Sequence, residues 1–368
     1  MLELTPQEFE KIRPLVLSID DHLAIYGILS GAVPARVYVD DPEQPQAAFV
    51  RAGQRYYLLG ACDNPRFNQE LRQLFFEHIY PQERQNGSVM FMLYYAPEAW
   101  EGVIPQILSG KFPIRTRRQY YEFRNPRPDW RTLLPDGFSM VFIDHDFLQT
   151  YPQLNHMHDL LEEMCSERPS VEDFLEKSFG VCLVNGDDLA GWCLSEYNQP
   201  GRCEIGIASM QPYQRRGLAT LMTGSFVEYA LFSGVTRIGW HCYSDNLPSV
   251  ATALKAGFVK VSDYPAFFAW FNEVENLGVH GNRCLGEKHY DEALEWFEKA
   301  FALGEAPGWV WWCAALAAAM LERSPEAFAY LDQSINRGFP DRQRLQNSQQ
   351  LASLHGSEEW SRLLERLG

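Results

Sequence analysis

No two of the eight cysteines stand as a Cys-x-x-Cys pair. They occur singly at 62, 165, 182, 193, 203, 242, 284 and 313, so neither a zinc site nor a disulfide framework is signalled, and buried free thiols are expected. No apolar run approaches the roughly 20 residues of a membrane span. The opening MLELTPQEFEKI has no basic start followed by an apolar stretch, so a cytoplasmic address and no membrane partner are expected. Basic residues are scarce, 32 Lys and Arg against 48 Asp and Glu. The formal net charge of −16 argues against a general grip on nucleic acid and favours cationic small molecules or peptides. What remains is an ordinary globular composition, 46% hydrophobic and 14% aromatic, in 368 residues that suffice for two or three domains.

Along the chain, Thr5, Pro6 and Glu8 mark a helix start. ARVYVDD, AAFVRAG and RYYLLGA read as strands, FNQELRQLFFEHI as a helix, and SVMFMLYY and RTRRQYYEFR as further strands, giving a mixed α/β region over 1–130. NPRPDW, Asn125 to Trp130, packs two prolines into six residues and is the expected boundary. A second α/β region, 131–274, begins with the strand LPDGFSMVFID and two helical segments, the latter capped by Ser170. It continues with a hairpin over GVCLVNGDDLAGWCLSEY, the strand GRCEIGIASM, the helix LATLMTGSFVEYALFSG, the strand TRIGWHCYS, the helix LPSVATALKAG and a final strand pair in FVKVSDYPAFFAWF. From 275 to 368 strands vanish. Ala293 and Ala300 bracket Phe297, Gly281 lies twelve residues before Ala293, and Ala327 lies 34 residues after it. That period resembles a tetratricopeptide repeat, about two copies with the helix SEEWSRLLERL as cap; a plain helical bundle is the alternative.

The stretch EIGIASMQPYQRRGLA carries the chemistry. A glycine-containing loop running from a strand into a helix points several unpaired backbone N–H groups at one spot, where the helix dipole is positive. Gly217 permits close backbone approach, Ala219 keeps the neighbouring face small, and Arg215 and Arg216 supply charge. The six residues QRRGLA fit an anion cradle and equally the basic first turn of a solvated helix.

Their context decides between the two. The pattern Gln/Arg-x-x-Gly-x-Gly/Ala after a Glu-Ile-Gly-Ile strand resembles the acetyl-CoA loop of the GCN5-related N-acetyltransferases (GNAT), with Gln214, Gly217 and Ala219 at the pattern positions. Asn246, Ser249 and LKAGF follow in the order of that fold. Within the superfamily the blocks look most like the group named for zwittermicin A resistance acetyltransferases. The resemblance covers about residues 131–272 and implies an α/β fold of tandem GNAT-like mixed sheets, followed by the all-α, tetratricopeptide-like region. The half before 131 has no such loop; Pro65 stands in LLGACDNPRFNQ, where one might be sought. It reads as a degenerate copy that covers the catalytic half or walls its cleft, or else as an unrelated α/β lid.

The resemblance implies roles. The backbone of Ile207, Ala208 and Ser209 pairs with the pantetheine arm of acetyl-CoA. Gln214 and the amides of Arg215, Arg216, Gly217, Leu218, Ala219 and Thr220 hold the pyrophosphate, and Asn246 and Ser249 approach from the next strand and helix. Transfer to a primary amine by direct attack needs a base, with no covalent enzyme intermediate and no metal. Glu204 is the first candidate, its pKa expected to rise in an aromatic cleft, with a half-exposed structural carboxylate as the alternative. Glu196 and Tyr197 are candidates for binding the amine; His241 and Tyr243 are further substrate-site candidates, His241 being the histidine expected at the site. The family's usual tyrosine acid falls at Ala253, which puts that role in doubt. Cys242 reads as a buried thiol. The acceptor implied is a small-molecule amine, of the peptide-like or antibiotic natural-product kind. The alternatives are an acyl-CoA-binding adaptor whose helical region holds a protein partner, and an enzyme acting on protein amines.

Overall fold

The computed structural model describes residues 1–125 and 129–367. Pro126 and Pro128 of the expected boundary lie outside the described residues. Twelve strands are present among the described residues: β1 (Leu2–Leu4), β2 (Arg36–Val39), β3 (Ala47–Ala52), β4 (Arg55–Gly60), β5 (Met90–Ala96), β6 (Ile114–Phe123), β7 (Phe138–Phe142), β8 (Gly180–Asn185), β9 (Asp188–Gln199), β10 (Arg202–Ser209), β11 (Arg237–Tyr243) and β12 (Phe258–Trp270). They join in one sheet of order β1-β2-β3-β4-β5-β12-β6-β11-β10-β9-β8-β7. FVKVSDYPAFFAWF, expected as a strand pair, is the single thirteen-residue strand β12, which runs through Pro265 and lies between β5 and β6.

The chain divides into two compact units. One comprises Met1–Asn68, Leu93–Val103 and Arg115–Phe267; the other comprises Gln69–Met92, Ile104–Ile114 and Phe268–Gly368. In the first, the pleat sends alternate residues of β8 into different cores. Val181 and Leu183 pack with the helix Leu218–Phe232, while Cys182 and Val184 pack with the helices His145–Thr150, Met157–Met164 and Val171–Lys177. Side-chain caps start two of these helices: Ser170 Oγ accepts from Asp173 N at 3.1 Å, as expected from sequence, and Asp144 Oδ1 accepts from Phe147 N at 2.8 Å. The opening segment begins as a 3₁₀ helix, Pro6–Ile12, with the Glu8 carboxylate taking the Thr5 N–H at 3.0 Å.

The second unit is mainly helical. Helices Glu273–Gly286, Tyr290–Leu303, Gly308–Met320 and Ser324–Ile335 form two successive pairs. A Cβ on Gly281 would strike Phe297, so only glycine lets the first two helices cross there. Ala293, Ala300 and Ala327 are buried in the core of this unit together with Phe297.

Candidate active site

The site originates where two strands part. β10 and β11 run parallel and pair at Arg202↔Arg237, Cys203↔Ile238 and Glu204↔Gly239. Past that register β10 continues with β9 as far as Ser209↔Gly191, while β11 continues with β6 as far as Tyr243↔Arg118. The gap holds two cavities. One, of about 660 Å³, is walled by Ile207–Ser209, the loop from Tyr213 to Thr220, and the helix Leu247–Lys255. The other, of about 300 Å³, lies deeper between β10 and β11. Ile207, Trp240, Asn246 and Ser249 line both, so the two adjoin.

The first cavity is formed by backbone. Gln214 Nε2 donates to Ser209 O at 3.0 Å, and Tyr213 OH to Asp188 Oδ2 at 2.6 Å, which fixes the loop against the end of β10. Arg215 and Gly217 both take left-handed φ, 61° and 78°. A Cβ on Gly217 would meet nothing within 4 Å, so its requirement is conformational rather than steric. The helix then starts at Leu218 with no capping side chain; the Thr220 N–H turns back onto Gly217 O at 3.1 Å, and the Leu218 and Ala219 N–H groups at the helix start are left for a ligand. Arg215 and Lys255 bring positive charge to opposite walls. Arg216, expected to add charge here, does not line the cavity; its guanidinium lies over the rings of Phe138 and Tyr213, at 5.1 and 5.8 Å, because that apolar shelf lies behind the loop. Asn246 caps its helix by accepting from Ser249 N at 3.2 Å, and Ser249 Oγ accepts from Trp240 Nε1 at 3.0 Å.

The second cavity is crowded with ionisable side chains. Glu196 and Glu204 are cross-strand neighbours. A Cβ on Gly206 would collide with the Glu196 carboxylate, so this glycine makes room for it. Burial pushes the Glu196 carboxyl up to about 7; Arg55, at 3.8 Å, pulls the other way, and the Glu204 and Glu163 carboxylates add to the rise. Glu204 behaves oppositely. It is buried, yet His241 at 3.6 Å, Arg55 and the Leu23 N–H at 2.6 Å outweigh the cost of burial and hold it below the usual carboxylate range, against the rise expected from sequence. A group held ionised in this way is a weaker base than the raised Glu196 beside it. Glu167, just behind, is raised to about 8 by burial and by Glu196, and takes the Tyr197 N–H at 2.7 Å. Tyr197 itself sits at a left-handed φ of 49° with Arg55 4.6 Å from its ring centroid.

His241 bridges two elements: Nδ1 lies 2.7 Å from Tyr264 OH and Nε2 3.1 Å from Asp21 O. It is not the lone histidine of the site, because His22 stacks 5.1 Å from it among Tyr57, Tyr94 and Tyr264. Burial, then the neighbouring His241, Arg118 and Arg55, keep His22 neutral well below the ordinary histidine range. Tyr243 carries the Arg118 guanidinium 4.6 Å above its ring. Cys242 is buried with its thiol pushed up by burial, so it is no nucleophile. Ala253 is fully buried in the core and lines neither cavity, so its helix brings no hydroxyl to the site from that position. Sequence reasoning did not find His22, Arg55, Tyr57, Tyr94, Arg118 and Glu163. They come from five separate segments: the sheet order brings together Arg55, Tyr57, Tyr94 and Arg118, while His22, before the helix Leu23–Leu29, and Glu163, on the helix Met157–Met164, reach the cavity by tertiary packing.

Comparison with known proteins accords with this geometry. The GNAT acetyltransferase family profile matches residues 13–267. The chain is 26% identical over 272 residues, 73% of its length and 98% of the relative's, to YdfB, an uncharacterized N-acetyltransferase of Bacillus subtilis (strain 168). Among solved structures it resembles a GCN5-related N-acetyltransferase-like protein from Streptococcus suis, with a TM-score of 0.54, 22% identity, and coverage of 72% of this chain and 99% of that one. It also resembles a GCN5-related N-acetyltransferase from Sphaerobacter thermophilus, with a TM-score of 0.50, 12% identity, and coverage of 73% and 95%. With the family matched over more than half of its length, the chain belongs to the GNAT acetyltransferases and is an N-acetyltransferase.

Proposed function

We propose that the protein transfers the acetyl group of acetyl-CoA to the primary amine of a small molecule, with the outer cavity holding the cofactor and the inner one the acceptor. The observation that carries this reading is that the two cavities adjoin, sharing the walls Ile207, Trp240, Asn246 and Ser249, between strands that have parted. The outer residues suit the cofactor. The uncapped helix start at Leu218, the left-handed Gly217 and the flanking Arg215 and Lys255 match a pyrophosphate, and the edge of Ile207–Ser209 faces the same space. Bound there, acetyl-CoA supplies a thioester whose C–S bond is exchanged for an amide N–C bond, with the CoA thiol leaving.

The chain's own residues do the rest. Glu196, poised at about 7, accepts the proton that the ammonium must lose before its nitrogen can attack. Glu204, fixed as an anion by His241 and the Leu23 N–H, maintains a negative field that draws a cationic acceptor inward. The inner volume of about 300 Å³ is at the lower end for small-molecule sites and favours a small acceptor over a protein side chain. We read the C-terminal helix pairs as tetratricopeptide-like, on the burial of Ala293 and Ala327 at equivalent places.

Calorimetry with acetyl-CoA, paired with a free-thiol assay over a panel of amines, tests the reading. Saturable cofactor binding and thiol release are expected, with Gly217→Glu abolishing both. No cofactor binding by the intact protein would sink it.

A further inference from the structure

The inner cavity contains two charges of opposite sign that form no direct ion pair among the described residues. Arg118, projecting from β6, meets the Tyr264 hydroxyl at 3.3 Å and the Tyr243 ring at 4.6 Å, and no described carboxylate pairs with it. Glu163, from the helix Met157–Met164, has no described cation within ion-pair distance; burial raises its carboxyl above the usual range, with the more distant Arg55 pulling the other way. The other charges in the cavity are already engaged. Arg55 lies between Glu196 and the Tyr197 ring, and Glu204 takes the Leu23 N–H beside His241. A half-buried guanidinium with spare donors is costly unless an acceptor arrives, and its planar fork matches a carboxylate with two parallel bonds. A carboxyl group held without a partner makes the complementary demand for a cation.

We propose that the acceptor is a small zwitterion, an amino acid or amino-acid-like molecule. Its carboxylate is held by Arg118, and its ammonium is received between Glu163 and Glu196. This rests on the reading of the inner cavity as the acceptor site. A purely cationic amine satisfies the acids and leaves Arg118 unpaired, whereas a molecule with both groups satisfies the two unpaired charges at once. The size of the cavity, about 300 Å³, accommodates a single residue rather than a chain.

The test uses the full-length protein with matched amines differing only in the carboxylate: ornithine and putrescine, lysine and cadaverine, phenylalanine and phenethylamine. Thiol release is followed at saturating acetyl-CoA, and binding to the CoA-saturated protein is measured by calorimetry. A charge-assisted bidentate contact predicts a preference of about 10- to 100-fold in kcat/KM for the carboxylated partner of at least one pair. Arg118→Gln should remove that preference mainly through KM, Arg118→Lys should restore part of it, and the KM for acetyl-CoA should stay unchanged. Equal or better use of the decarboxylated amines by the unaltered protein overturns the proposal without touching acetyl transfer. So does a preference that survives Arg118→Gln. Carboxylated amines that bind selectively yet release no thiol support the proposal and count against the transfer reading instead. Because the matched pairs need no variant, misfolding of an Arg118 substitution leaves the test intact.

Discussion

The outer cavity, proposed for the cofactor, and the inner one, proposed for the acceptor, lie side by side in the same gap between β10 and β11, yet they are encoded in opposite ways. The first is written almost contiguously, in 207–220 with a return at 246–255, and relies on backbone conformation: a left-handed glycine, an uncapped helix start and a loop fixed by Gln214. The second is assembled from side chains on strands and helices far apart in sequence, from His22 to Tyr264, and relies on the field those charges create in one another. A cradle for a common anion needs only local geometry, whereas a pocket for a particular acceptor needs long-range placement.

The sharpest break in this comparison is a change in the acceptor cavity that leaves the cofactor cavity intact. Glu196→Gln keeps the shape against Gly206 and removes the proton acceptor. It is expected to lower kcat by roughly 10²- to 10⁴-fold while acetyl-CoA binding, measured by calorimetry, stays the same. The corresponding Glu204→Gln should lose less rate, because that carboxylate is held ionised and accepts no proton at neutral pH. An equal collapse of the two variants would return the base role to Glu204.

Next in size is the pH dependence. Glu196 acts when ionised and titrates at about 7, so kcat/KM should rise about tenfold per pH unit below 7 and level off above it. The sign follows from the direction of the shift: burial favours the protonated form, which cannot accept a proton, so acidification below 7 silences the site. A stopped pH profile from 5 to 9 checks this. The limb near 7 should vanish in Glu196→Gln, while any limb near 10 from a lysine-like free amine persists.

How much of this was legible in the sequence follows the same divide. Gln214, Gly217 and Ala219 stand in a short pattern whose spacing is set by one turn, and the structure has all three lining the outer cavity, with Asn246 joining them from the next helix start. Arg216 was misjudged because a guanidinium at a helix start is equally able to face an anion or to stack on apolar rings, and Phe138 is 78 residues away in the chain. The seven-residue helix Leu23–Leu29, whose first N–H holds Glu204, gave no periodic signal: six of its residues are buried, so it lacks the polar face that marks an amphipathic helix. The pKa of Glu204 was read with the wrong sign because its controlling partners, His241 and Leu23, are 37 and 181 positions away. Strand β12 reads from sequence as a strand pair, since a proline ordinarily interrupts a strand and Pro265 lies within it; its placement between β5 and β6 is visible only in the sheet order.

A third change tests the backbone side of the comparison. Gly217→Val places a β-branched residue at φ 78°, where the left-handed conformation costs roughly 1–2 kcal/mol. Since a Cβ there meets open space, the effect is conformational: the loop relaxes away from the geometry that aims its N–H groups. A rise of about tenfold in the dissociation constant of acetyl-CoA is expected, with binding of the acceptor in the inner cavity unaffected. Gly217→Ala should do the same more weakly.

The smallest effect separates the two arginines that share the loop. Arg215 lines the outer cavity, so Arg215→Ala removes one exposed charge from an anion site, a loss of about 0.3–1 kcal/mol or up to roughly fivefold in acetyl-CoA affinity, diminishing with added salt. Arg216 covers Phe138 and Tyr213 instead. Arg216→Ala should therefore barely alter cofactor affinity and should lower the melting temperature slightly, through loss of a cation–π contact of about 0.5–1 kcal/mol. Titrating acetyl-CoA into both variants at two salt concentrations, with thermal melts alongside, distinguishes them. If Arg216→Ala weakened binding as much as Arg215→Ala with the same salt dependence, both guanidiniums would serve the cofactor, and the loop would be a charged cradle rather than a backbone one.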